Sequence, residues 1–189
     1  MDRYERRLPH WDAIGQSLFV TFRLRVSLPA NRMFPQAQLS SGRVFVAADR
    51  LLDTARQGPL YLRQPEIASL VTEALAAGDE RFHRYQLHAF VVMPNHVHLL
   101  ATPRVPFAKW LGPLKGFTAH RANELLGRTG AFWQDESCDR LVRNNEEFER
   151  IRTYIENNPV TAGLAASPEE YPWSSAAPGR RNPAGLPPG

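Results

Sequence analysis

Residues 17–26, SLFVTFRLRV, alternate between side-chain classes, and a period of two predicts a half-buried strand. The pattern breaks over 28–41 at Pro29, Asn31 and Pro35, which predicts a loop. Helical spacing follows over 44–57 and 65–77, with Gly58-Pro59 as the breaker between. A strand is predicted over 82–92, a turn at Met93-Pro94-Asn95 and a second strand over 96–102, HVHLLAT. Helical character returns over 107–126, where Gly112-Pro113 is expected to start a new helix or kink the first. Residues 131–143 read as irregular or short strand. The helix predicted over 146–156 has acidic residues in its first turn, where its dipole favours them, and Pro159 and Gly163 are expected to close it. Residues 176–189 are rich in proline and glycine and are expected to be disordered. The two best strands adjoin through a tight turn, which predicts an α+β fold: a small antiparallel β-sheet flanked by helices, not a doubly wound parallel sheet.

Length and composition narrow this picture. The 189 residues are 43% hydrophobic and 22% charged, which suits one domain over 1–176 followed by a tail over 177–189. No run of 18 apolar residues occurs, and the charged start lacks an apolar h-region, so neither a membrane span nor a secretion signal is expected. The single cysteine, Cys138, excludes an internal disulfide and fits a reducing cytoplasm. Net charge is only +4, yet the basic residues are almost all arginine: Lys109 and Lys115 are the lysines among 23. Arginine grips phosphate bidentately and stacks on bases, but a GC-rich genome produces the same bias, so charge alone decides nothing.

His96 and His98 are two apart on the second strand, which places both imidazoles on one face. Two neutral imidazoles can hold a divalent cation, although paired strand histidines are more often only hydrogen-bonded or solvent-facing. A third ligand must come from elsewhere. Tyr154 and Asn158 are four apart on the last helix and share a face. A phenol can attack phosphorus and preserve bond energy in a phosphotyrosine, and an amide oxygen can ligate a hard cation. Spacing alone favours a plainer account, with Tyr154 packed in the core and Asn158 ending the helix.

The segments HAFVVMPNHVHLL (88–100) and YIENNPVTAGL (154–164) resemble the HUH-type tyrosine-1 transposases. The closer similarity is to the IS200-like branch associated with repetitive extragenic palindromes (REP). RRLPHWDAIGQSLFVTFRL (6–24), FWQDESCDRLVRN (132–144) and EEYPWSSA (169–176) resemble that branch too, in family order. The resemblance implies an HUH, ferredoxin-like sandwich in which His96 and His98 bind Mg2+ or Mn2+. It implies that Tyr154 is the nucleophile and that Asn158 completes the metal site. It also implies cleavage of single-stranded DNA beside a hairpin through a 5′-phosphotyrosine, and rejoining by a 3′-OH. Some relatives are dimers that exchange tyrosine helices, whereas members of this branch can act as monomers, and a monomer is the expectation here. His88 is read as structural. Residues 28–63 exceed the length of compact members.

Candidate DNA contacts are Arg3, Arg6, Arg7, His10, Lys109, Lys115, Arg121, Arg140 and Arg143, with Trp11, Trp110 and Trp133 open to base stacking or to core packing. Two rival readings remain at this level. One is a domesticated palindrome- or RNA-binding protein that no longer cuts; the other is an unrelated metal hydrolase in which Tyr154 only packs.

Overall fold

The computed structural model describes residues 13–27 and 58–180. The expected loop over 28–41, the expected helix over 44–57, and Arg3, Arg6, Arg7, His10 and Trp11 lie outside the described residues. The chain order is β1 (Leu18–Arg23), α1 (Pro65–Glu80), β2 (Tyr85–Val92), β3 (His96–Pro103), α2 (Phe107–Leu125), β4 (Cys138–Leu141) and α3 (Asn145–Thr161). The strands form one antiparallel sheet in the order β2-β3-β1-β4. This is the α+β architecture the alternating patterns predicted.

Strand alternation sorts the side chains into two layers. Leu18, Val20 and Phe22 of β1 join Val97, Leu99 and Ala101 of β3 in a core filled by Ile67, Val71 and Leu75 of α1 and Trp110 and Leu114 of α2. On the other face, Phe19 and Leu100 meet Phe148, Ile151 and Ile155 of α3. Burying those three α3 side chains stabilises the docked helix by roughly 5–9 kcal/mol at most. A register irregularity between Leu87 and Ala89 reverses the alternation of β2, so that Leu87 faces α1 and α2 whereas Ala89 faces α3.

Three expectations change. Residues 107–125 form one helix with Pro113 inside it. Proline removes only the bond to the Lys109 carbonyl, and Lys109, Gly112 and Pro113 are all exposed, so water can satisfy that group. Pro159 does not close α3, which continues to Thr161. The stop lies at Gly163, whose φ is 70°. There Leu164 N–H donates to Pro159 O at 2.8 Å and Gly163 N–H to Val160 O at 3.0 Å, the paired bonds of a Schellman ending. Finally, order does not cease at 176. The Tyr171 hydroxyl donates to Val92 O at 2.9 Å. Val92 N–H donates to Trp173 O and Ser175 N–H to Phe90 O, each at 2.9 Å. This segment covers the β2 edge and buries Ala176 and Ala177.

Candidate active site

β3 is an inner strand, paired with β2 on one side and β1 on the other. Its even positions face α3, as Leu100 does, so His96 and His98 lie on that face and are both 0% exposed. Their Nε2 atoms converge to 3.0 Å. Their outer nitrogens are held from behind: His96 Nδ1 is 2.6 Å from Asn95 Oδ1, and His98 Nδ1 is 2.7 Å from Thr21 Oγ1. Burial pushes the His98 imidazole down to about 3. Burial, reinforced by the neighbouring His98, holds His96 well below its ordinary value. Both rings are therefore neutral at pH 7 and keep lone pairs for ligation.

Helix α3 brings the second pair. Its start is fixed by Asn144, whose side chain accepts from Glu147 N–H at 2.8 Å. Glu147 also pairs with Arg140 of β4 and accepts from Arg143 N–H at 2.9 Å, tying helix to sheet. Two turns on, the Tyr154 ring lies 5.9 Å from His98 and 6.2 Å from Phe19, and Phe19 lies 5.5 Å from His98. The phenol thus belongs to a three-ring cluster against the histidine pair. Asn158 does not end the helix. It is 2% exposed, one turn beyond Tyr154, and its Oδ1 has no hydrogen-bond partner among the described residues. An orphaned buried carbonyl costs free energy unless something accepts its lone pairs. Among the described residues no three His, Cys, Asp or Glu side chains are grouped to hold a metal. Two imidazoles and an amide oxygen nevertheless suit a divalent cation of intermediate hardness, so the residues present fit one.

The basic candidates divide. The Lys115 ammonium donates to Gln134 O at 2.7 Å and Asp135 O at 3.0 Å, which pins that loop to α2. Arg121 pairs with Glu124 at the surface, and Arg140 is committed to Glu147. Lys109 and Arg143 are exposed but sit where β3 and β4 end away from His96, about 20 Å along the strand direction. Trp110 and Trp133 are core residues, and the Trp133 indole donates to Thr118 Oγ1 at 2.9 Å. His88 is outside the pair, 2.7 Å from Thr102 Oγ1 and against the Phe148 ring.

Sequence reasoning passed over Phe19, Thr21, Asn95, Arg25 and Arg128. Phe19 and Thr21 carried a signal, since period two sets them on the opposite face from Leu18, Val20 and Phe22. Arg25 and Arg128, with Tyr61 and Phe132, line an open cleft of 720 Å³ just beyond the histidine end of β1. There Tyr61 and Phe132 stack at 6.0 Å, and the Arg128 guanidinium lies 4.9 Å over Tyr61. Among the described residues no helix is long and apolar enough to cross a membrane.

The family described as "Transposase IS200 like" matches residues 65–158, a span that opens at the first residue of α1 and closes at Asn158. The chain is similar in fold to a solved REP-associated tyrosine transposase bound to a REP hairpin, with a TM-score of 0.57 and 18% identity over 93% of this chain and 82% of that one. A structure described as a candidate transposase from Deinococcus radiodurans R1 aligns with 84% of this chain and 98% of its own, at 20% identity and a TM-score of 0.32. No curated protein matches.

Proposed function

Because the chain belongs to the IS200-like transposase family, we propose that it nicks and rejoins single-stranded DNA beside a hairpin, with Tyr154 as nucleophile. The observation that carries this reading is the contact of the Tyr154 ring with His98, whose Nε2 converges on that of His96. The Tyr154 oxygen attacks the scissile phosphorus and loses its proton to solvent. A P–O bond to tyrosine forms and the P–O3′ bond breaks, the departing O3′ taking a proton from solvent, which leaves a 5′-phosphotyrosine and a free 3′-OH. Attack by a 3′-OH on that phosphorus restores the phenol and reseals DNA. His96, His98 and Asn158 would hold Mg2+ or Mn2+, which supplies Lewis-acid polarisation of the phosphate when bound. Because burial keeps both imidazoles neutral, they serve as ligands and not as proton donors. Tyr154 meets the histidine of its own chain, so one copy carries the whole set, which favours a monomer.

The unpaired flank of the substrate fits the cleft beyond the Arg23 end of β1, where Arg25 and Arg128 can hold phosphates and Tyr61 can stack on a base. With an unpaired oligonucleotide, Arg128→Ala is expected to weaken binding and reduce the salt slope by about one. Lys109→Ala should leave both nearly unchanged. Salt titrations of fluorescence anisotropy check this, and equal losses for the two variants would remove the cleft from the DNA path.

The deciding experiment incubates end-labelled single-stranded hairpins, drawn from DNA flanking the gene, with the protein and Mg2+ or Mn2+. A labelled band at protein mass on a denaturing gel, lost on chelation with EDTA, is the expected result. Tight hairpin binding with no adduct under either metal would instead assign a binding protein that does not cut.

A further inference from the structure

We propose that Arg23 is a further catalytic residue, its guanidinium holding a non-bridging oxygen of the scissile phosphate while the Tyr154 oxygen attacks. This role rests on the nicking reading and deepens it, because it names a side chain that meets the charge of the group under attack.

Strand parity sets Arg23 on the histidine face. Successive odd positions of β1 point towards α3: Phe19 packs on the Tyr154 ring, and the Thr21 hydroxyl is 2.7 Å from His98 Nδ1. Arg23 is the next residue on that face. It lies directly opposite His96 in the antiparallel register, as Thr21 lies opposite His98. Directly opposed residues on one face have Cβ atoms about 4.5–5.5 Å apart. One strand thus presents, in order, a support for the phenol, a support for one imidazole and a guanidinium beside the other.

The charges around the site call for such a group. In the transition state of phosphoryl transfer negative charge is spread over the equatorial oxygens, and preorganised donors in a poorly hydrated site stabilise it. Asn158 brings no charge, and burial keeps both imidazoles neutral. Arg140 faces the same side of the sheet, opposite Phe19, but it is committed to Glu147. Arg23 is half-buried; burial pulls its guanidinium below the ordinary value, against the opposing influence of Cys138 and Glu136. An arginine there stays charged, and its partial loss of water strengthens its pull on a phosphate oxygen. Its Nη1 donates to Ser27 Oγ at 3.2 Å, which helps to fix the planar fork. The tie from β1 to the segment before β4 does not need this side chain. There the Arg23 backbone carbonyl accepts from Gln134 N–H at 2.8 Å, as it would with any residue in place.

The test uses the full chain and the hairpin of the adduct experiment, made with either an ordinary phosphate or a neutral methylphosphonate at the position the adduct maps. On the phosphate, Arg23→Ala is expected to lower single-turnover cleavage about 100–1000-fold, with hairpin affinity within a few-fold of wild type. Arg23→Lys should recover part of the loss, since it restores the charge without the fork. Arg23→Gln keeps a donor for Ser27 and loses the charge, so it should behave as Arg23→Ala does. On the methylphosphonate both neutral variants should lose only a small fraction of what they lose on the phosphate, because less charge is left to meet. A purely structural role would lower cleavage of both substrates alike, and thermal unfolding reports whether each variant is folded. A folded Arg23→Ala or Arg23→Gln that cleaves the phosphate at wild-type rate, or that loses equally on the two substrates, would overturn the proposal. If the wild type forms no adduct, the nicking reading falls and takes this role with it. Wild-type cleavage that the substitutions leave intact sinks the role of Arg23 alone.

Discussion

Tyr154→Phe is expected to abolish the covalent protein–DNA adduct and to lower hairpin cleavage by about 10⁴-fold or more, while hairpin affinity stays within a few-fold of wild type. Phenylalanine keeps the ring that packs on Phe19 at 6.2 Å and on His98 at 5.9 Å, so the cluster and α3 stay in place. Tyr154 is half-buried, and losing its hydroxyl should cost the fold about 1 kcal/mol. Large loss of chemistry with little loss of stability or binding is the mark of a group that forms a bond. A packing residue would behave otherwise, since nothing about cleavage would then depend on the phenolic oxygen. The measurements are adduct yield on a denaturing gel, single-turnover cleavage of a labelled hairpin, and thermal unfolding of both proteins. Metal-dependent cleavage that survives Tyr154→Phe at wild-type rate would make water the nucleophile and place the protein among metal hydrolases.

The parts of this site that were legible in sequence are those generated by a period. Two residues apart on a strand and four apart on a helix each fix a shared face, and the fold keeps both relations for His96 with His98 and for Tyr154 with Asn158. That α3 docks over the histidine face is a matter of tertiary packing by Phe148, Ile151 and Ile155, and no local pattern states it. Thr21 and Asn95 escaped notice for the same reason. One acts through strand register across 77 positions, and the other looks like an ordinary turn residue after proline. The prolines misled in both helices because local rules treat them as stops. Tertiary burial of α2 and α3 outweighs one lost backbone bond in each. The basic residues differ in their partners, which charge alone does not state. Arg140 and Lys115 were singled out for their charge, yet they spend their donors on Glu147 and on two backbone carbonyls. Arg25 and Arg128, equally plain in sequence, line the open cleft beyond the end of β1.

The same burial that prepares the histidines predicts a steep loss of stability in acid. In the unfolded chain both imidazoles titrate near 6.5, whereas in the fold His98 titrates at about 3 and His96 well below its ordinary value. Below pH 6.5 the unfolded chain binds two protons that the folded chain refuses, so stability falls as pH falls; above 6.5 these two groups contribute no slope. Each proton is worth about 1.4 kcal/mol per pH unit, so His98 alone should remove about 2 kcal/mol between pH 7 and pH 5, and His96 deepens that loss. That is a large share of the stability of an ordinary domain, roughly 5–15 kcal/mol. For His98 the loss continues down to about pH 3. Urea unfolding of metal-free protein in EDTA, at half-unit steps from pH 7.5 to 5, measures it. His98→Gln should remove one proton's worth of the slope, about 1.4 kcal/mol per unit, although its stability at pH 7 also falls. Saturating Mg2+ should raise stability most at neutral pH, where no proton competes for the imidazoles. A wild-type stability that stays flat from pH 7 to pH 5 would mean that both histidines take up protons in the fold, and a site that admits protons so readily does not hold neutral ligands ready for a cation.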